Sequence, residues 1–269
     1  VRAFDDGNIH ADIVHIHGLY GLTETTFSKF LHHRNIPYII SSHGSFSPLI
    51  LRGKKRLLKL IFLRLFGRPM VDRAVLLHLH ADAETKDCEC LGITTPTVVI
   101  EHGIDLTMIP HSHVQRSWLD WKFPQTRGML RFIFLGRLDP WHKGLDLLLE
   151  AFRRFCIENP QTALFIAGPE KRAYAGYVPN AIHRLGLTDK VFLLGPVYDL
   201  ADKFSLLSSA DYFVLTSRFE GFPLTVLESV AVGTPVVVTE GTNTGPFIRR
   251  YELGVVCDTD VAEITNALH

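Results

Sequence analysis

Residues 211–229 read Asp-Tyr-Phe-Val-Leu-Thr-Ser-Arg-Phe-Glu-Gly-Phe-Pro-Leu-Thr-Val-Leu-Glu-Ser, and they give the clearest view of the architecture. The first five residues form a short apolar run that is typical of a buried strand. Gly221 and Pro223 then shape a tight turn, and a helical spacing begins near Leu224. A strand that passes through a turn directly into a helix is the repeating unit of a parallel α/β sheet, so this stretch predicts that fold class.

The same alternation extends over most of the chain. Continuous apolar strands separated by amphipathic stretches predict parallel sheets that are covered by helices on both faces. The predicted strands are residues 13–16, 37–41, 74–79, 97–100, 130–135, 163–167, 191–194, 211–215 and 235–238. The predicted helices are residues 23–33, 54–66, 83–91, 144–159, 179–185, 200–208 and 224–232, with a further helical pattern at 261–268.

A break in this alternation predicts two domains. Residues 110–128 are rich in His, Trp, Gln and Pro and show no clear period, so we interpret them as a linker with its flanks. We expect a partial N-terminal Rossmann-like domain over 1–115 and a C-terminal Rossmann-like domain over 125–269, facing each other across a cleft. Because the chain starts at Val1 and stops within a helical pattern at His269, we also expect a fragment.

Composition excludes some classes of protein and leaves others open. Lys plus Arg equals Asp plus Glu at 28 each, so the charge balance predicts no nucleic-acid partner. The four scattered cysteines are typical of reduced thiols in a cytoplasmic protein. His15/His17 and His78/His80 each share one face of a predicted strand, but the sequence places no third ligand. We therefore predict no bound metal and no other cofactor.

The basic, apolar stretch at 52–66 has two interpretations. It is either a solvated helix face or a surface that contacts anionic membrane or a lipid-linked acceptor. The stretch is too short to span a bilayer and is interrupted by Lys59 and Arg64. The second interpretation predicts a cytoplasmic protein that associates peripherally with the inner face of the cell membrane.

Two segments that follow strands carry groups suited to a phosphorylated ligand. Arg137 and Lys143 flank the loop between the strand at 130–135 and its helix, where two cations beside a helix N-terminus suit a diphosphate. A solvated basic turn explains the same residues equally well. Glu220 and Glu228 bracket the Gly221–Pro223 turn and require hydroxyl donors, which a sugar supplies. A salt-bridged helix residue explains Glu228 alone, and a helix-dipole partner explains Glu220 alone, but neither explains the pair.

The segment from Glu220 to Glu228 resembles the Glu-x7-Glu motif of retaining glycosyltransferases of the GT-B fold. Gly136-Arg137 with Lys143-Gly144 is similar to the phosphate-binding pair of the same proteins. The flanking residues 210–217 and 233–239 resemble family 4, the group 1 transferases. Looser matches in the first half are residues 11–18, 42–44 and 101–105.

This resemblance implies a role for each matching residue. Arg137 and Lys143 neutralise the departing diphosphate, Glu220 holds the donor sugar and Glu228 the ribose. His43 contacts the donor sugar near the reacting carbon, and His17 lines the acceptor side. The remaining implied contacts, to base, phosphate or sugar, are Gly136, Gly195, Val197, Phe222, Pro223, Leu224 and Thr225.

The resemblance also implies a reaction. A hexose passes from a nucleotide sugar, UDP-linked, to a saccharide or lipid-linked acceptor with retention of configuration, in polysaccharide or glycolipid assembly. One alternative is a sugar-nucleotide epimerase of the same fold, which needs acid and base groups in place of the Glu-x7-Glu pairing. The other alternative is a non-catalytic nucleotide-sugar-binding or scaffold protein, against which the intact Arg137, Lys143, Glu220 and Glu228 argue.

Overall fold

The computed structural model describes residues 10–49, 56–109 and 117–269. The chain divides into two compact units, residues 1–102 and 103–269. Each unit contains one sheet, and every strand pairing in both sheets is parallel. The predicted α/β fold class with two parallel-sheet units is therefore confirmed.

The first unit is built on a four-stranded sheet whose spatial order follows the chain, β1-β2-β3-β4. Its strands are β1 (Val14–His17), β2 (Tyr38–Ser41), β3 (Leu76–Leu79) and β4 (Thr97–Val99). Its helices are α1 (Leu22–His33), α2 (Arg56–Phe62), α3 (Arg68–Asp72) and α4 (Asp82–Cys90). Because neighbouring parallel strands end at the same edge, the residues that follow β1 to β4 gather along one side of this sheet.

The helix predicted at 54–66 differs from the structure in two ways. Residues 54 and 55 lie outside the described residues. From Arg56 onward the helix does not end at Phe66, because a π-helical turn at Leu63–Gly67 connects α2 directly to α3. Within the described ranges, no helix combines the length and the apolar character needed to cross a bilayer.

The second unit has six strands, β5 (Leu130–Leu135), β6 (Thr162–Ala167), β7 (Val191–Gly195), β8 (Tyr212–Leu215), β9 (Val236–Thr239) and β10 (Gly254–Cys257). Its helices are α5 (Trp118–Lys122), α6 (Leu145–Glu158), α7 (Tyr177–Arg184), α8 (Leu200–Ser208), α9 (Leu224–Ala231), α10 (Gly245–Tyr251) and α11 (Val261–Leu268). The spatial order is β7-β6-β5-β8-β9-β10. This is the doubly wound order of dinucleotide-binding domains, and its switch point lies between β5 and β8.

The core of the second unit explains why its strands read as continuous apolar runs. All six residues of β6 are buried, as are the last five of β5. Aromatic residues form part of this core, where Phe132 meets Phe155 edge-on at a ring-centroid distance of 5.5 Å. Rings of this kind bury large apolar areas and stabilise the sheet against its helices.

Part of the segment interpreted as a linker packs into this core. Residues 110–116 lie outside the described residues, but α5 follows directly, with Trp118 and Leu119 buried. The Trp118 indole Nε1 donates a hydrogen bond to Asp202 Oδ1 at 3.2 Å. A five-residue helix shows too few apolar repeats to be recognised from periodicity, which is why the segment looked irregular.

Candidate functional site

A cavity of about 400 Å³ lies beside the strand ends of the second unit. It opens where the loops after β5, β6, β7 and β8 meet, which is the edge where doubly wound sheets bind ligands. Three cations and two carboxylates line it together with small and apolar residues. The full lining is Leu135, Gly136, Arg137, Lys143, Gly168, Pro169, Pro196, Val197, Tyr198, Lys203, Glu220, Pro223, Leu224, Thr225 and Glu228.

Two glycines allow the loops around the cavity to pack this closely. At Gly168, where φ is +144°, an added Cβ would lie 1.8 Å from the Gly136 carbonyl oxygen. At Gly144, where φ is +66°, an added Cβ would lie 1.9 Å from the Thr216 carbonyl oxygen. Neither position has room for a side chain, so both glycines fix the loop after β5 against its neighbours.

An ion pair joins the two segments that were singled out in the sequence. Lys143 Nζ lies 2.7 Å from Glu220 Oε1, and both side chains are largely buried, with 12% and 13% exposed. Ser217 Oγ donates a second hydrogen bond to the same carboxylate oxygen at 2.6 Å. The structure therefore places a phosphate-binding candidate and a hydroxyl-binding candidate in direct contact, which the sequence did not predict.

Neighbouring side chains hold this ion pair in place. Arg218 binds both carboxylate oxygens of Asp146 at 2.8 Å, and its backbone amide donates to the His142 carbonyl at 2.9 Å. The ring of His142 stacks on Phe219 at 4.2 Å, and Nε2 donates to the Phe219 carbonyl at 2.9 Å. Burial lowers the pKa of His142, so its ring is neutral at pH 7. The loops after β5 and β8 therefore form one braced unit.

Glu228 has a partner of its own. Its Oε1 lies 2.7 Å from Lys203 Nζ, which extends from α8. The interpretation of Glu228 as a salt-bridged helix residue is thus confirmed. Both groups line the cavity, however, so the pair also presents a carboxylate and an ammonium group to a ligand.

Most of the site residues predicted from the sequence line this cavity, but Phe222 and Gly195 do not. Arg137 is exposed at the cavity and makes no side-chain ion pair within the described ranges. The ring of Phe222 is buried against Phe247 and does not line the cavity. Gly195 does not line the cavity either. Its carbonyl accepts a hydrogen bond from the amide of Gly168, which does line the cavity, at 2.8 Å.

The start of α9 follows the Gly221–Pro223 turn and lies beside the cavity. The first amides of a helix have no carbonyl partner within the helix and are available to a ligand. The Val226 amide is an exception here, because it donates to the Pro223 carbonyl at 3.1 Å and is already used in the first helical turn.

Sequence reasoning missed two groups at this cavity. Lys203 was not recognised because a single lysine on a predicted helix has no distinguishing pattern. Tyr198, which is 82% exposed, directly follows Val197 but was not among the residues that the resemblance singled out. Its flat ring beside Pro196 and Val197 suits stacking against a planar base.

His43 lies in the first unit, two residues after the end of β2. Six histidines gather at that edge of the sheet, namely His15, His17, His43, His78, His80 and His102. His43 has a left-handed backbone with φ of +48°, a strained conformation that is found more often at functional sites. Its Nε2 lies 2.9 Å from Nδ1 of His17. His80 and His102 stack at a ring-centroid distance of 3.8 Å, and His43 stacks on His80 at 4.7 Å.

Most of these rings are held neutral. Burial, followed by the neighbouring His102 and His43, lowers the pKa of His80 to about 4. Burial is also the largest cause of the lowered pKa of His15, His43 and His102. The role implied for His43 toward a donor sugar stays a prediction, as does the acceptor-side role of His17.

Solved structures with the same architecture were found. HepE from Anabaena, in complex with UDP, superposes with a TM-score of 0.75 at 21% identity, over 94% of this chain and 67% of that chain. Sucrose-phosphate synthase from Thermosynechococcus elongatus gives a TM-score of 0.76 at 17% identity, over 99% and 66%. These likenesses show the fold, which is the GT-B fold that was predicted.

Relatives in sequence were found as well. Mannosylfructose-phosphate synthase of Agrobacterium fabrum is 33% identical over 179 residues, 57% of this chain and 38% of the relative. An α-mannosyltransferase of Xanthomonas campestris, GDP-mannose:cellobiosyl-diphosphopolyprenol α-mannosyltransferase, is 27% identical over 243 residues, 89% and 58%. The chain thus spans less than two thirds of the length of either relative.

The family match covers the unit that holds the cavity. Residues 120–269 match the family described as glycosyl transferases group 1, which is more than half of the chain. The chain therefore belongs to this family.

Proposed function

We propose that this chain carries the donor site of a retaining glycosyltransferase that moves a hexose from a UDP-linked sugar to a saccharide or lipid-linked saccharide. The observation that carries this proposal is the contact between Lys143 and Glu220 at one wall of a cavity that also holds Arg137, Lys203 and Glu228. Such a cavity offers positive charge for a diphosphate and carboxylates for hydroxyl groups. The family membership and the UDP complex of HepE support the same proposal.

The Lys143–Glu220 contact indicates how a donor would engage the site. In the structure, the ammonium group and the carboxylate compensate each other. An incoming diphosphate competes for Lys143, and the released Glu220 oxygen then accepts a hydrogen bond from a sugar hydroxyl. Arg137, which is exposed at the cavity, supplies the second cation. At the other side, Glu228 accepts from the ribose hydroxyls, and Tyr198 and Val197 cover the base.

The proposed chemistry uses these cations in the transition state. As the bond from the anomeric carbon to the diphosphate oxygen breaks, negative charge grows on the leaving group, and Arg137 and Lys143 stabilise it. The acceptor hydroxyl attacks from the face that the diphosphate leaves, which retains the configuration. The leaving phosphate takes the hydroxyl proton, so Glu220 is not needed as a nucleophile or base. The charge is met by side chains, and the proposal therefore includes no metal ion in this step.

Binding of nucleotide sugars is the direct test. We expect isothermal titration of UDP-glucose, UDP-galactose, ADP-glucose and GDP-mannose to give a dissociation constant between about 10 µM and 1 mM for the UDP sugars. We also expect slow hydrolysis of the same donors without acceptor. Free glucose is the control, and it should not bind. Binding of GDP-mannose alone would correct the base, whereas no binding by any of the four would refute the donor site.

A second proposal concerns the acceptor side of the reaction. We propose that the protein acts at the cytoplasmic face of a membrane, where α2 and the π turn contact anionic lipid. In the described part of this segment, Leu57, Leu58 and Leu65 are at least half exposed, and Lys59 and Arg64 lie between them. Exposed leucines interleaved with basic residues are typical of interfacial helices. The basic residues 52, 54 and 55 lie outside the described residues.

Co-sedimentation with liposomes tests this contact. We expect the protein to bind vesicles with 30 mol% phosphatidylglycerol at least about fivefold better than neutral vesicles, because each basic residue near an anionic surface contributes about 1 kcal/mol. Leu58→Asp should abolish the binding. Ile157→Asp, which changes an equally exposed apolar residue on α6, is the matched control and should bind normally. Equal binding to both kinds of vesicle would contradict the proposal.

A further inference from the structure

The three histidines 43, 80 and 102 form a cluster with the dimensions of a metal site. Each offers one ring nitrogen, and these three nitrogens all lie within 4.8 Å of one another. In a tetrahedral zinc site with bonds of about 2.0–2.1 Å, ligand nitrogens lie about 3.3 Å apart, so closure requires movements of about 1.5 Å. It also requires the stacked rings to rotate until their in-plane lone pairs converge on one point. Within residues 10–49, 56–109 and 117–269, no second group of three potential ligands is this compact.

The hydrogen bonds around His80 fix which nitrogen it offers. Its Nδ1 lies 3.3 Å from the Ile100 carbonyl oxygen, and since a carbonyl only accepts, Nδ1 must carry the proton. Nε2 of the neutral ring therefore carries a lone pair. This atom is buried in a residue that is 1% exposed and has no hydrogen-bond partner among the described residues. A buried nitrogen without a hydrogen-bond partner destabilises the folded protein. A metal ion bound to its lone pair would supply the missing partner.

The other ligands have similar support. One nitrogen of His43 is hydrogen-bonded to His17, which leaves the second ring nitrogen for a metal and orients the ring. His102 is only partly buried, and this leaves the cluster open to an ion entering from solvent. All three histidines follow successive strands, β2, β3 and β4, so they are mounted on neighbouring points of one rigid sheet edge.

A buried carboxylate holds the ligand-bearing loops together. Glu84 is fully buried, and its Oε1 accepts from the His80 amide at 3.2 Å. Its Oε2 accepts from the Gly44 amide at 3.3 Å and from the Ser42 hydroxyl. One side chain thus binds the residues on both sides of His43, through the Ser42 hydroxyl and the Gly44 amide, and also binds the His80 amide. Its negative charge beneath the cluster also favours a bound cation.

His78 lies beside the cluster, with its ring 4.4 Å from that of His80, but a chain of hydrogen bonds uses both of its nitrogens. The Ile100 carbonyl also accepts from Nε2 of His78 at 2.9 Å, and His78 Nδ1 lies 2.9 Å from the Ser41 hydroxyl. The same hydroxyl lies 2.7 Å from Nε2 of His15. Both nitrogens of His78 are therefore occupied, which is why the cluster contains three ligands and not four.

We propose that His43, His80 and His102 bind one divalent transition-metal ion, of the kind that imidazole prefers, such as Zn²⁺, with a fourth position open to water or another ligand. All three residues belong to the first unit, residues 1–102. Binding by three loops at one sheet edge ties those loops together, so the ion stabilises the first unit.

Metal titration of the full chain, purified without a polyhistidine tag and freed of metal with EDTA, tests the proposal. We expect one equivalent of Zn²⁺ to bind in competition with a chromophoric chelator, and Co²⁺ to give the intense visible absorption of four-coordinate cobalt. Zinc should also raise the melting temperature of the protein by several degrees. His102→Ala, at the partly exposed ligand, should weaken zinc binding at least about 100-fold while circular dichroism stays unchanged.

Two control variants separate this site from adventitious binding. His33→Ala removes an exposed histidine from the end of α1, and Cys90→Ala removes an exposed thiol from α4. Both should bind zinc as the unchanged protein does. Glu84→Gln keeps the shape of the loop anchor but not its charge, and it should weaken binding about tenfold. The proposal is overturned if the protein binds no stoichiometric zinc, or if His102→Ala binds it with unchanged affinity.

Discussion

Replacing Lys143 by alanine should lower kcat of sugar transfer by a factor of about 10²–10³, which is the usual effect of removing one preorganised group that stabilises developing charge. Lys143 is largely buried and faces the cavity, so its ammonium group acts where water screens little. The same change leaves Glu220 without its cation, while the Ser217 hydroxyl stays bonded to that oxygen and His142 Nε2 lies 3.7 Å from it. We therefore expect a loss of stability of about 1–3 kcal/mol beside the loss of activity.

A double variant separates these two effects. Lys143→Ala with Glu220→Gln removes the unpaired carboxylate, so the melting temperature should recover, while transfer should stay well below that of Glu220→Gln alone because the cation is missing. Lys171→Ala is the matched single control, because Lys171 also pairs with a carboxylate, Asp139 at 3.2 Å, but does not line the cavity. It should keep nearly full activity. Transfer by the double variant equal to that of Glu220→Gln alone would show that Lys143 has only a structural role.

Much of the second unit could be predicted because its sequence signals are local. The strand and helix at 211–231 lie within a few residues of their predicted bounds, since burial on both faces forces a continuous apolar run. β10 and α10 were missed for local reasons too. α10 begins with Gly245 and Pro246, which usually indicate a turn. β10 begins with a glycine and has two exposed residues, so it lacks the buried pattern of the other strands.

Contacts between distant segments could not be predicted from one sequence. The Lys143–Glu220 and Lys203–Glu228 pairs join residues 77 and 25 positions apart, and no periodicity encodes such distances. The histidine cluster is an instructive intermediate case. Each of its three histidines lies within three residues of the end of a strand, and parallel strands end at one edge, so His102 could have been placed beside His80 by that rule. The prediction of no metal considered pairs on one strand and did not apply the rule across strands.

Replacing Glu220 by glutamine should separate sugar recognition from nucleotide recognition. Glutamine keeps the size of the side chain but loses the charge, so sugar hydroxyls lose a charged acceptor, and kcat/KM for the UDP sugar should fall about 100-fold. In this variant the charge of Lys143 is no longer compensated by a carboxylate at position 220. UDP alone, which needs only the cations and the ribose and base contacts, should bind equally well or about two- to tenfold tighter. Titration of UDP and of the UDP sugar on the same variant measures both effects.

Glu228→Gln provides the contrast, because Glu228 pairs with Lys203 on the opposite side and is assigned to the ribose. That variant should weaken UDP and the UDP sugar by the same factor, about tenfold, since both ligands carry the ribose. The two glutamates would then bind different parts of the donor, Glu220 the sugar and Glu228 the nucleoside. If Glu220→Gln weakened UDP and the UDP sugar equally, Glu220 would belong to nucleotide binding, and the proposed exchange of Lys143 from carboxylate to diphosphate would be wrong.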